Sequence, residues 1–336
     1  MDTVQVQFNG KTYTCDKNRP LLFTLQEQGA FIPSSCQNGF CQACLSKVTQ
    51  GSVPEASQQG LSTLLIEQDC FLPCICKPQT DFSFELATKS NTTFRADEIS
   101  PFARYSTMVL DKTWLNHDVL RLGLMRPEGF MYKAGQWINL IHAEQNISRS
   151  YSLASMPCEN FLELHIKRIP QGKMSNWLCD TVQKGDFLTM EGPAGDCYYQ
   201  QAQQSKQPLI LAGVGSGLAP LYGIVREALE EDHQGHIYLF HGATTSQGLY
   251  YQEELTAMTH EVGNFSYIPC VLQGKVPAGG KQGKIDQAII QTLSNCAGCH
   301  AYLCGDDAVV QQLQQTLSKH GILQENILTD AFTPSS

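Results

Sequence analysis

Three cysteines in one short stretch, Cys36, Cys41 and Cys44, have the most distinctive spacing in this chain. Four and then two residues separate them, and a fourth cysteine, Cys74, follows thirty positions after the last. This is the spacing at which four cysteine thiolates bind a plant-type [2Fe–2S] cluster. The dipeptide Asn38-Gly39 suits a loop around a cluster, because glycine accepts a positive φ and has no Cβ to block a close approach. Zinc sites more often use paired C-x2-C units, so the spacing favours the cluster over a zinc site or structural thiols.

The chain has fourteen cysteines, and the others allow two further interpretations. Cys70 and Cys76 flank Cys74, so either thiol is an alternative fourth ligand. Residues 296–300 spell Cys-Ala-Gly-Cys-His, the attachment motif of c-type haem. The alternative is an ordinary loop that leads into a core strand, and the sequence favours this loop because its start shows no export signal. We interpret the remaining thiols as inert, buried side chains.

A second group of residues, Arg149, Tyr151 and Ser152, combines three side chains that suit a flavin nucleotide. An arginine guanidinium can donate two hydrogen bonds to a diphosphate. A tyrosine ring can stack on an aromatic system, and a serine hydroxyl can form a hydrogen bond with a ring nitrogen. The turn at 172–175 precedes a predicted helix, whose first N–H groups suit the same diphosphate. Alone, Arg-Ser-Tyr-Ser also fits a surface arginine beside an ordinary barrel strand, but together with the turn it predicts a flavin site.

The histidines of the chain show no metal-ligand spacing, so we interpret them as structural with respect to metals. Two residues at the end of a predicted strand, His165 and Lys167, are nevertheless included among the cofactor contacts. The candidate contacts in this part of the chain are Arg149, Ser150, Tyr151, Ser152, His165, Lys167, Gly172, Lys173, Met174 and Ser175.

A third group consists of glycines between a predicted strand and a predicted helix, which is the context of a dinucleotide-binding turn. Gly213, Gly215 and Gly217 are followed by Pro220, so the third glycine comes earlier than in G-x-G-x-x-G, and the alternative is a generic tight turn. The second strand ends at residues 241–245 without the acidic residue that usually bonds a ribose, and without an arginine for a 2′-phosphate. We therefore predict NADH rather than NADPH.

Three segments must position these groups. Residues 1–86 show a hairpin around Asn9-Gly10, one short helix and further strands, which indicates a small α+β domain. A polar linker follows at 87–100. Residues 101–203 are rich in short strands and predict an antiparallel barrel interrupted by one helix. Residues 207–336 alternate strands with helices, which predicts a doubly wound parallel sheet.

Composition limits the partners. The chain has 336 residues and a net charge of −9, which argues against nucleic acid and favours a docking partner with a basic patch. The uncharged run at 208–225 contains four glycines and has Pro220 in its middle, so we predict a buried strand, a turn and a helix instead of a membrane span. The many cysteines and the missing leader predict a cytoplasmic, reducing location. Oligomeric state is not predicted.

The three segments together resemble the iron–sulfur flavoprotein reductases of the ferredoxin–NADP reductase superfamily, over nearly the whole chain. The resemblance is to members with the ferredoxin domain first, such as the reductases of benzoate-type dioxygenases and methane monooxygenase, and the CDP-6-deoxyglucoseen reductases. It implies a β-grasp ferredoxin domain, then an antiparallel Greek-key barrel for FAD, then an α/β doubly wound sheet for NAD. FAD is expected rather than FMN, because the resembled members with this domain order use FAD.

The resemblance also assigns residues. It makes Cys36, Cys41, Cys44 and Cys74 the cluster ligands. It makes Ser152, Cys304 and Asp330 catalytic, with Ser152 near flavin N5 and Cys304-Gly305 bordering the nicotinamide. It assigns Arg149, Tyr151, Gly172 and Ser175 to the flavin, residues 191–195 to the end of the barrel, Gly213, Gly215, Gly217 and Pro220 to the nicotinamide nucleotide, and Phe332 to the terminal aromatic position. Two residues depart from the family pattern: Gln42 stands where glycine is common, and Asp330 where glutamate is usual.

The implied function is conversion of a hydride into single electrons. NADH reduces FAD, the cluster takes electrons one at a time, and a partner protein accepts them. That partner is a terminal oxygenase, a deoxysugar dehydratase or another metalloenzyme. The alternatives are an NAD(P)H-dependent flavin or dye reductase, a deoxysugar-pathway reductase, and a non-enzymatic redox carrier or sensor, although a pure carrier needs no nicotinamide turn.

Overall fold

The computed structural model describes residues 2–30, 32, 39, 44–59, 61, 63–87, 104–142, 144–145, 147–200 and 205–332. Its contacts divide the chain into two compact units, Met1–Ala103 and Arg104–Ser336. Two predicted cluster ligands, Cys36 and Cys41, lie outside the described residues, as do Gln42 and most of the predicted linker.

The first unit is built on a mixed five-stranded sheet with strand order β2-β1-β5-β3-β4, in which β1 and β5 run parallel. Its strands are β1 (Thr3–Phe8), β2 (Lys11–Asp16), β3 (Ser46–Gln50), β4 (Cys70–Phe71) and β5 (Phe82–Leu86). Its helices are α1 (Leu21–Glu27) and α2 (Thr63–Glu67).

The predicted hairpin at the start of this unit is confirmed. Val4, Val6 and Phe8 alternate with exposed residues along β1 and are buried in the core. The turn residues Asn9 and Gly10 both have positive φ, 51° and 74°, as a two-residue hairpin turn requires. The hydrophobic pattern therefore fixes which face of the sheet covers the core.

The second unit begins with a six-stranded antiparallel sheet in the order β10-β7-β6-β11-β8-β9. Its strands are β6 (Arg104–Trp114), β7 (Val119–Met125), β8 (Trp137–His142), β9 (Ile147–Ser152), β10 (Phe161–Lys167) and β11 (Phe187–Ala194). A bridge between Leu153 and Leu164 joins the two edges, so the sheet closes into the predicted barrel. Helix α3 (Lys173–Asn176) follows β10 and continues as a π-helical turn, Trp177–Thr181.

A six-stranded parallel sheet in the order β15-β14-β13-β12-β16-β17 completes this unit and confirms the doubly wound prediction. Its strands are β12 (Leu209–Val214), β13 (Ile237–Ala243), β14 (Phe265–Val271), β15 (Lys281–Gln282), β16 (His300–Asp306) and β17 (Ile327–Phe332). Its helices are α4 (Leu218–Glu230), α5 (Gln252–Glu261), α6 (Ile285–Thr292) and α7 (Asp307–Lys319).

The parallel sheet is covered on both sides by hydrophobic side chains. Residues of α4 and α5 form one buried cluster with the sheet, and residues of α6 and α7 form another. The uncharged run at 208–225 becomes β12, a turn and the start of α4. No helix in the described part of the chain is long and apolar enough to cross a bilayer.

Candidate functional site

A cleft of about 910 Å³ lies between the barrel and the parallel sheet of the second unit. The end of β9, the end of β10 and the turn before α3 form its barrel side. The loops after β12, β13 and β16 and the start of α6 form its sheet side. Of the predicted contacts, these line the cleft: Arg149, Ser150, Tyr151, Ser152, His165, Lys167, Gly172, Lys173, Met174, Ser175, Gly215 and Phe332.

The barrel side is positively charged. Arg149 and Tyr151 are half-buried on the same face of β9, since side chains two positions apart point the same way. Lys167 ends β10, and Lys173 begins α3. Three cations therefore lie along one wall, which is where the phosphates of a nucleotide are stabilised.

The turn at Gly172 depends on glycine and on the hydroxyl of Ser175. The Oγ of Ser175 accepts a hydrogen bond from the Ile169 N–H at 3.1 Å and donates to the Gly172 carbonyl at 3.4 Å. A Cβ on Gly172 would lie 2.6 Å from that Oγ and 2.9 Å from the Cβ of Ile169. The Ser175 hydroxyl thus closes the turn, in which position 172 has no room for a side chain.

The three predicted catalytic residues are buried together: Ser152 lines the cleft, and Cys304 and Asp330 lie behind it. Ser152 ends β9 and donates a 2.7 Å hydrogen bond from Oγ to Oδ2 of Asp330. Asp330 lies opposite Cys304 in the register of β17 and β16. The Sγ atoms of Cys304 and Cys197 are 3.8 Å apart, and burial followed by its bond to Cys197 raises the pKa of the Cys304 thiol well above its usual value. The sequence did not indicate Cys197.

The glycines of the nucleotide turn have different functions. Gly215 has a φ of +56° and lines the cleft beside Lys167, whose Nζ is 3.6 Å from the position of a Cβ. A Cβ on Gly217 would lie 2.4 Å from the Cys304 carbonyl oxygen, and one on Gly213 would lie 2.8 Å from the Gly217 oxygen. Gly213 and Gly217 therefore allow close packing of the turn. Both glycines are buried and do not line the cleft. The same is true of four other predicted site residues, Pro220, Cys304, Gly305 and Asp330.

A buried polar network extends from the barrel wall. His165 Nε2 lies 2.9 Å from Oε1 of Glu163, and its Nδ1 lies 3.1 Å from the hydroxyl of Tyr250. Burial acts to raise the pKa of the Glu163 carboxyl, but the bond and charge of His165, together with Arg121, outweigh burial and lower it to about 2. Glu163 is therefore a carboxylate at neutral pH.

The sequence missed several polar residues of the cleft. Thr244 and Thr245 follow β13, at the position where an acid for the ribose or an arginine for a 2′-phosphate is expected. Lys284 and Asp286 flank the first residue of α6, and no local pattern places that helix at the cleft. The other polar lining residues that were not predicted are His117, Asp118, Ser216, Asp306 and Gln312.

The first unit contains two of the predicted cluster ligands among its described residues. Cys44 and Cys74 are buried, at 2% and 3% exposure. Gly39 has a φ of +93°, and a Cβ there would lie 2.9 Å from Cδ1 of Ile75, the neighbour of Cys74. Gly39 itself therefore packs directly against the residue that follows the distal cysteine. Buried thiolate donors in such a setting fit an iron–sulfur cluster.

The alternative thiols are core residues. Cys70 is 2% exposed and Cys76 is fully buried, and burial raises the pKa of Cys76 to about 12. Cys296 and Cys299 of the haem-like motif are packed into the core against α6 and α7. That motif is a turn before β16 with Gly298 at a φ of +78°, which supports the loop interpretation.

The cleft fits the predicted nucleotides. Its volume is near the upper end of the range of about 300–1,000 Å³ that is typical of ligand clefts. Arg149, Lys167 and Lys173 supply cations for diphosphates, and Tyr151 supplies an aromatic ring. The missing Cβ at Gly215, where among the described residues only Lys167 Nζ lies within 4 Å of a Cβ, leaves room for a ligand to approach the backbone.

Three family models match successive parts of the chain. Residues 4–79 match the 2Fe-2S iron-sulfur cluster binding domain, residues 106–199 the oxidoreductase FAD-binding domain, and residues 210–315 the oxidoreductase NAD-binding domain. The order of the matches is the order of the sheets described above.

Similar proteins share the whole arrangement. The reductase component of the naphthalene 1,2-dioxygenase system of Pseudomonas putida is 28% identical over 98% of each chain. The reductase subunit of an aromatic O-demethylase from Amycolatopsis is 28% identical over 99% of this chain and all of that one. The crystal structure of the Amycolatopsis reductase GcoB superposes with a TM-score of 0.82 at 26% identity, over 99% of this chain and all of that one.

Proposed function

Because the chain belongs to the iron–sulfur flavoprotein reductases of the ferredoxin–NADP reductase superfamily, with an N-terminal plant-type ferredoxin domain, we propose that it passes electrons from NADH to a partner metalloenzyme such as a terminal oxygenase. When bound, FAD accepts a hydride from NADH and releases single electrons to the [2Fe–2S] cluster and from there to the partner. The reductase components of the naphthalene and terephthalate dioxygenase systems support this choice of partner.

One observation carries the proposal: a single cleft is lined by both the flavin motif of the barrel and the glycine turn of the parallel sheet. Arg149–Ser152 and Gly215 therefore face the same space. A shared cleft allows two flat rings to be held against each other, and orientation of this kind supplies much of the rate of hydride transfer. A simple electron carrier has no use for such a cleft.

The barrel residues hold the flavin nucleotide in this proposal. The guanidinium of Arg149 and the ammonium of Lys173 neutralise its diphosphate. The ring of Tyr151 stacks on its aromatic system. The turn at Gly172–Ser175 presents backbone N–H groups to the same diphosphate. Both ring nitrogens of His165 are bonded to Glu163 and Tyr250, so His165 supports this wall without contacting the diphosphate.

The sheet residues hold the nicotinamide nucleotide. The N–H groups of the Gly215 turn and the Nζ of Lys167 bind its diphosphate. Thr244 and Thr245 bond the ribose, which fits NADH because these neutral hydroxyls do not stabilise a 2′-phosphate. Phe332 covers the ring side of the cleft. Gly213, Gly217 and Pro220 shape the turn, and Cys304-Gly305 forms the wall behind the nicotinamide.

Ser152 and Asp330 form the catalytic pair, with Cys304 packed beside them. Ser152 holds its hydroxyl proton toward the Asp330 carboxylate and so orients its oxygen at the reacting edge of the site. The burial of both residues, at 6% and 5% exposure, excludes water from that edge. Aspartate replaces the usual glutamate and still reaches the serine directly.

In the first unit Cys36, Cys41, Cys44 and Cys74 would supply four thiolates to the cluster. The proposal includes three domains: residues 1–86 for the cluster, residues 101–203 for FAD and residues 207–336 for NAD, with a linker at 87–100. We also propose a cytoplasmic location, because the described cysteines form no disulfides and the chemistry needs reduced thiols. The net charge of −9 favours a partner with a basic docking patch.

An anaerobic titration with NADH tests the proposal. Addition of NADH to the purified holoprotein should bleach the flavin absorption and the iron–sulfur absorption together. The protein should also reduce cytochrome c, a one-electron acceptor. If only the flavin bleaches, the protein is a dye reductase and the proposal fails; iron below two atoms per chain would remove the cluster from it.

A further inference from the structure

A hydrogen-bonded chain of three buried side chains connects the barrel to the Gly215 turn. Glu163 bonds His165, His165 bonds Tyr250, and the hydroxyl of Tyr250 reaches the carbonyl oxygen of Gly215 at 3.4 Å. Glu163 and His165 belong to β10, whereas Tyr250 precedes α5 of the parallel sheet. The chain therefore crosses from one half of the cleft to the other.

The hydrogens carried by each side chain determine which group donates in each hydrogen bond of this chain. The Glu163 carboxylate accepts from Tyr251 at 2.7 Å and from Arg121 at 2.9 Å, so His165 must donate from Nε2. A tyrosine hydroxyl carries one hydrogen. Tyr250 donates that hydrogen to the carbonyl oxygen of Gly215, which leaves its own oxygen as the group that faces Nδ1 of His165. His165 thus holds the hydroxyl of Tyr250 toward the turn.

Packing fixes the position of the His165 imidazole. The Glu163 carboxylate is directly bonded to it, and Arg121 bonds the other oxygen of that carboxylate. The rings of Tyr222 on α4, of Tyr251 before α5 and of Tyr250 pack around the imidazole at centroid distances of 6.4, 5.5 and 5.2 Å. The imidazole is therefore held between Glu163 and Tyr250.

We propose that Glu163, His165 and Tyr250 are positioning residues that hold the Gly215 turn for the nicotinamide nucleotide. This inference rests on the proposed function, which makes the Gly215 turn the diphosphate-binding loop. The bond fixes the carbonyl of Gly215 and thereby orients the turn, whose backbone has the positive φ of +56°. Loss of the bond loosens the turn and weakens nucleotide binding.

The test is Tyr250→Phe in the full-length holoprotein. The dissociation constant for NAD⁺, measured by calorimetry, and the KM for NADH should both rise about two- to tenfold at pH about 6.5, the cost of one hydrogen bond. The limiting rate of flavin reduction should change less than twofold.

Tyr199→Phe is the matched control. Tyr199 is also a buried tyrosine bonded to a histidine, with its hydroxyl 3.0 Å from Nδ1 of His233, and neither residue lines the cleft. This variant should keep wild-type affinity. His165→Asn places an amide donor where Nδ1 was, so it should lose less NAD⁺ affinity than Tyr250→Phe.

The outcomes distinguish a failure of this inference from a failure of the proposed function on which it rests. Unchanged NAD⁺ affinity in Tyr250→Phe, or a loss equal to that in Tyr199→Phe, would overturn the positioning role. Wild-type protein that binds NAD⁺ and is reduced by NADH would leave the proposed function standing in that case. Wild-type protein that does not bind NAD⁺ would overturn both.

Discussion

The hydroxyl of Ser152 and the carboxylate of Asp330, 178 positions apart in the chain, are joined by a 2.7 Å hydrogen bond. Ser152 closes β9 of the barrel, and Asp330 lies in β17 of the parallel sheet. The bond therefore forms where the two halves of the second unit meet. Its burial means that neither group is compensated by water if the other is removed.

Replacement of the serine tests this pair. Ser152→Ala should lower the rate of flavin reduction by NADH about 10²–10³-fold, the usual cost of removing one hydrogen-bonding group from the reacting edge. Asp330→Asn should lose less, because the amide oxygen still accepts from the serine. Stopped-flow absorbance gives the rate, and flavin content per chain serves as the control for folding. A wild-type rate in Ser152→Ala would remove the serine from the mechanism.

The packing of Gly217 leads to a second prediction. Gly217→Ala should destabilise the protein by about 1–3 kcal/mol, since the new Cβ would lie 2.4 Å from a backbone oxygen, that of Cys304, which cannot move aside without distorting β16. The KM for NADH should rise as the turn shifts. Urea unfolding and steady-state kinetics measure the two effects.

A second glycine supplies the control. Gly263 has no atom within 4 Å of a built Cβ. Gly263→Ala should therefore change the free energy of unfolding by less than about 0.5 kcal/mol and leave the KM unchanged. Equal behaviour of the two variants would show that the close approach of Gly217 to Cys304 does not matter for the turn.

Acid should weaken the second unit through Glu163. Its carboxyl has a pKa of about 2 in the folded chain and an ordinary value of 4.5, so the stabilisation is complete above about pH 4.5 and is lost as the pH falls toward 2. The shift corresponds to of the order of 3 kcal/mol. Glu163→Gln should be less stable than wild type by a comparable amount at pH 7, and the difference should shrink toward pH 2.5.

Tryptophan fluorescence can follow this unfolding, because Trp114, Trp137 and Trp177 all lie in the barrel or in the π-helical turn beside it. The control is Glu191→Gln, which removes an ion pair with the exposed Arg104. Exposed pairs contribute less than about 1 kcal/mol, so this variant should show little change. A Glu163→Gln difference that does not vary with pH would contradict the assignment.

Ionisation of Glu227 should destabilise the folded chain, whereas ionisation of Glu163 stabilises it. Burial, and then the nearby Glu231, raise the pKa of the Glu227 carboxyl to about 7, against the pull of Lys133. Its Oε2 is buried without a hydrogen-bond partner among the described residues. Because the folded chain resists ionisation, stability falls as the pH rises from about 4.5 to about 7. Glu227→Gln should therefore stabilise the protein at pH 8 by about 1–2 kcal/mol and not at pH 4.

Glu230 on the same helix provides the comparison, because its side chain is exposed. Glu230→Gln should leave the melting temperature within about one degree at both pH values. If Glu227→Gln stabilises equally at pH 4 and pH 8, loss of charge is not the reason and the argument from burial fails.

Local spacing was sufficient to predict much of this site. Arg149, Tyr151 and Ser152 fall on one strand, and the Gly172 and Gly215 turns have short-range requirements that sequence expresses directly. The last strand of the parallel sheet, β17, was not predicted, because its Asp330 breaks the hydrophobic pattern of a buried strand.

The long-range pairs could not be predicted. His165 and Tyr250 are 85 positions apart, and their contact depends on how the barrel packs against the parallel sheet. The same holds for Asp286, which reaches the cleft only because α6 begins beside the loop after β13. No single stretch of sequence contains this information, because it arises from the packing of elements that are distant in the chain.

The distal cysteine leads to the last prediction. Cys74→Ser should remove one thiolate of the cluster, so iron content and cytochrome c reduction should fall to near zero, while NADH-dependent reduction of a two-electron dye continues. Cys15→Ser is the control, because this thiol is equally buried in the same unit and is not a predicted ligand. It should keep its iron. Retained cytochrome c reduction in Cys74→Ser would instead assign the fourth ligand to Cys70 or Cys76, and loss of dye reduction as well would show that the substitution unfolds the chain.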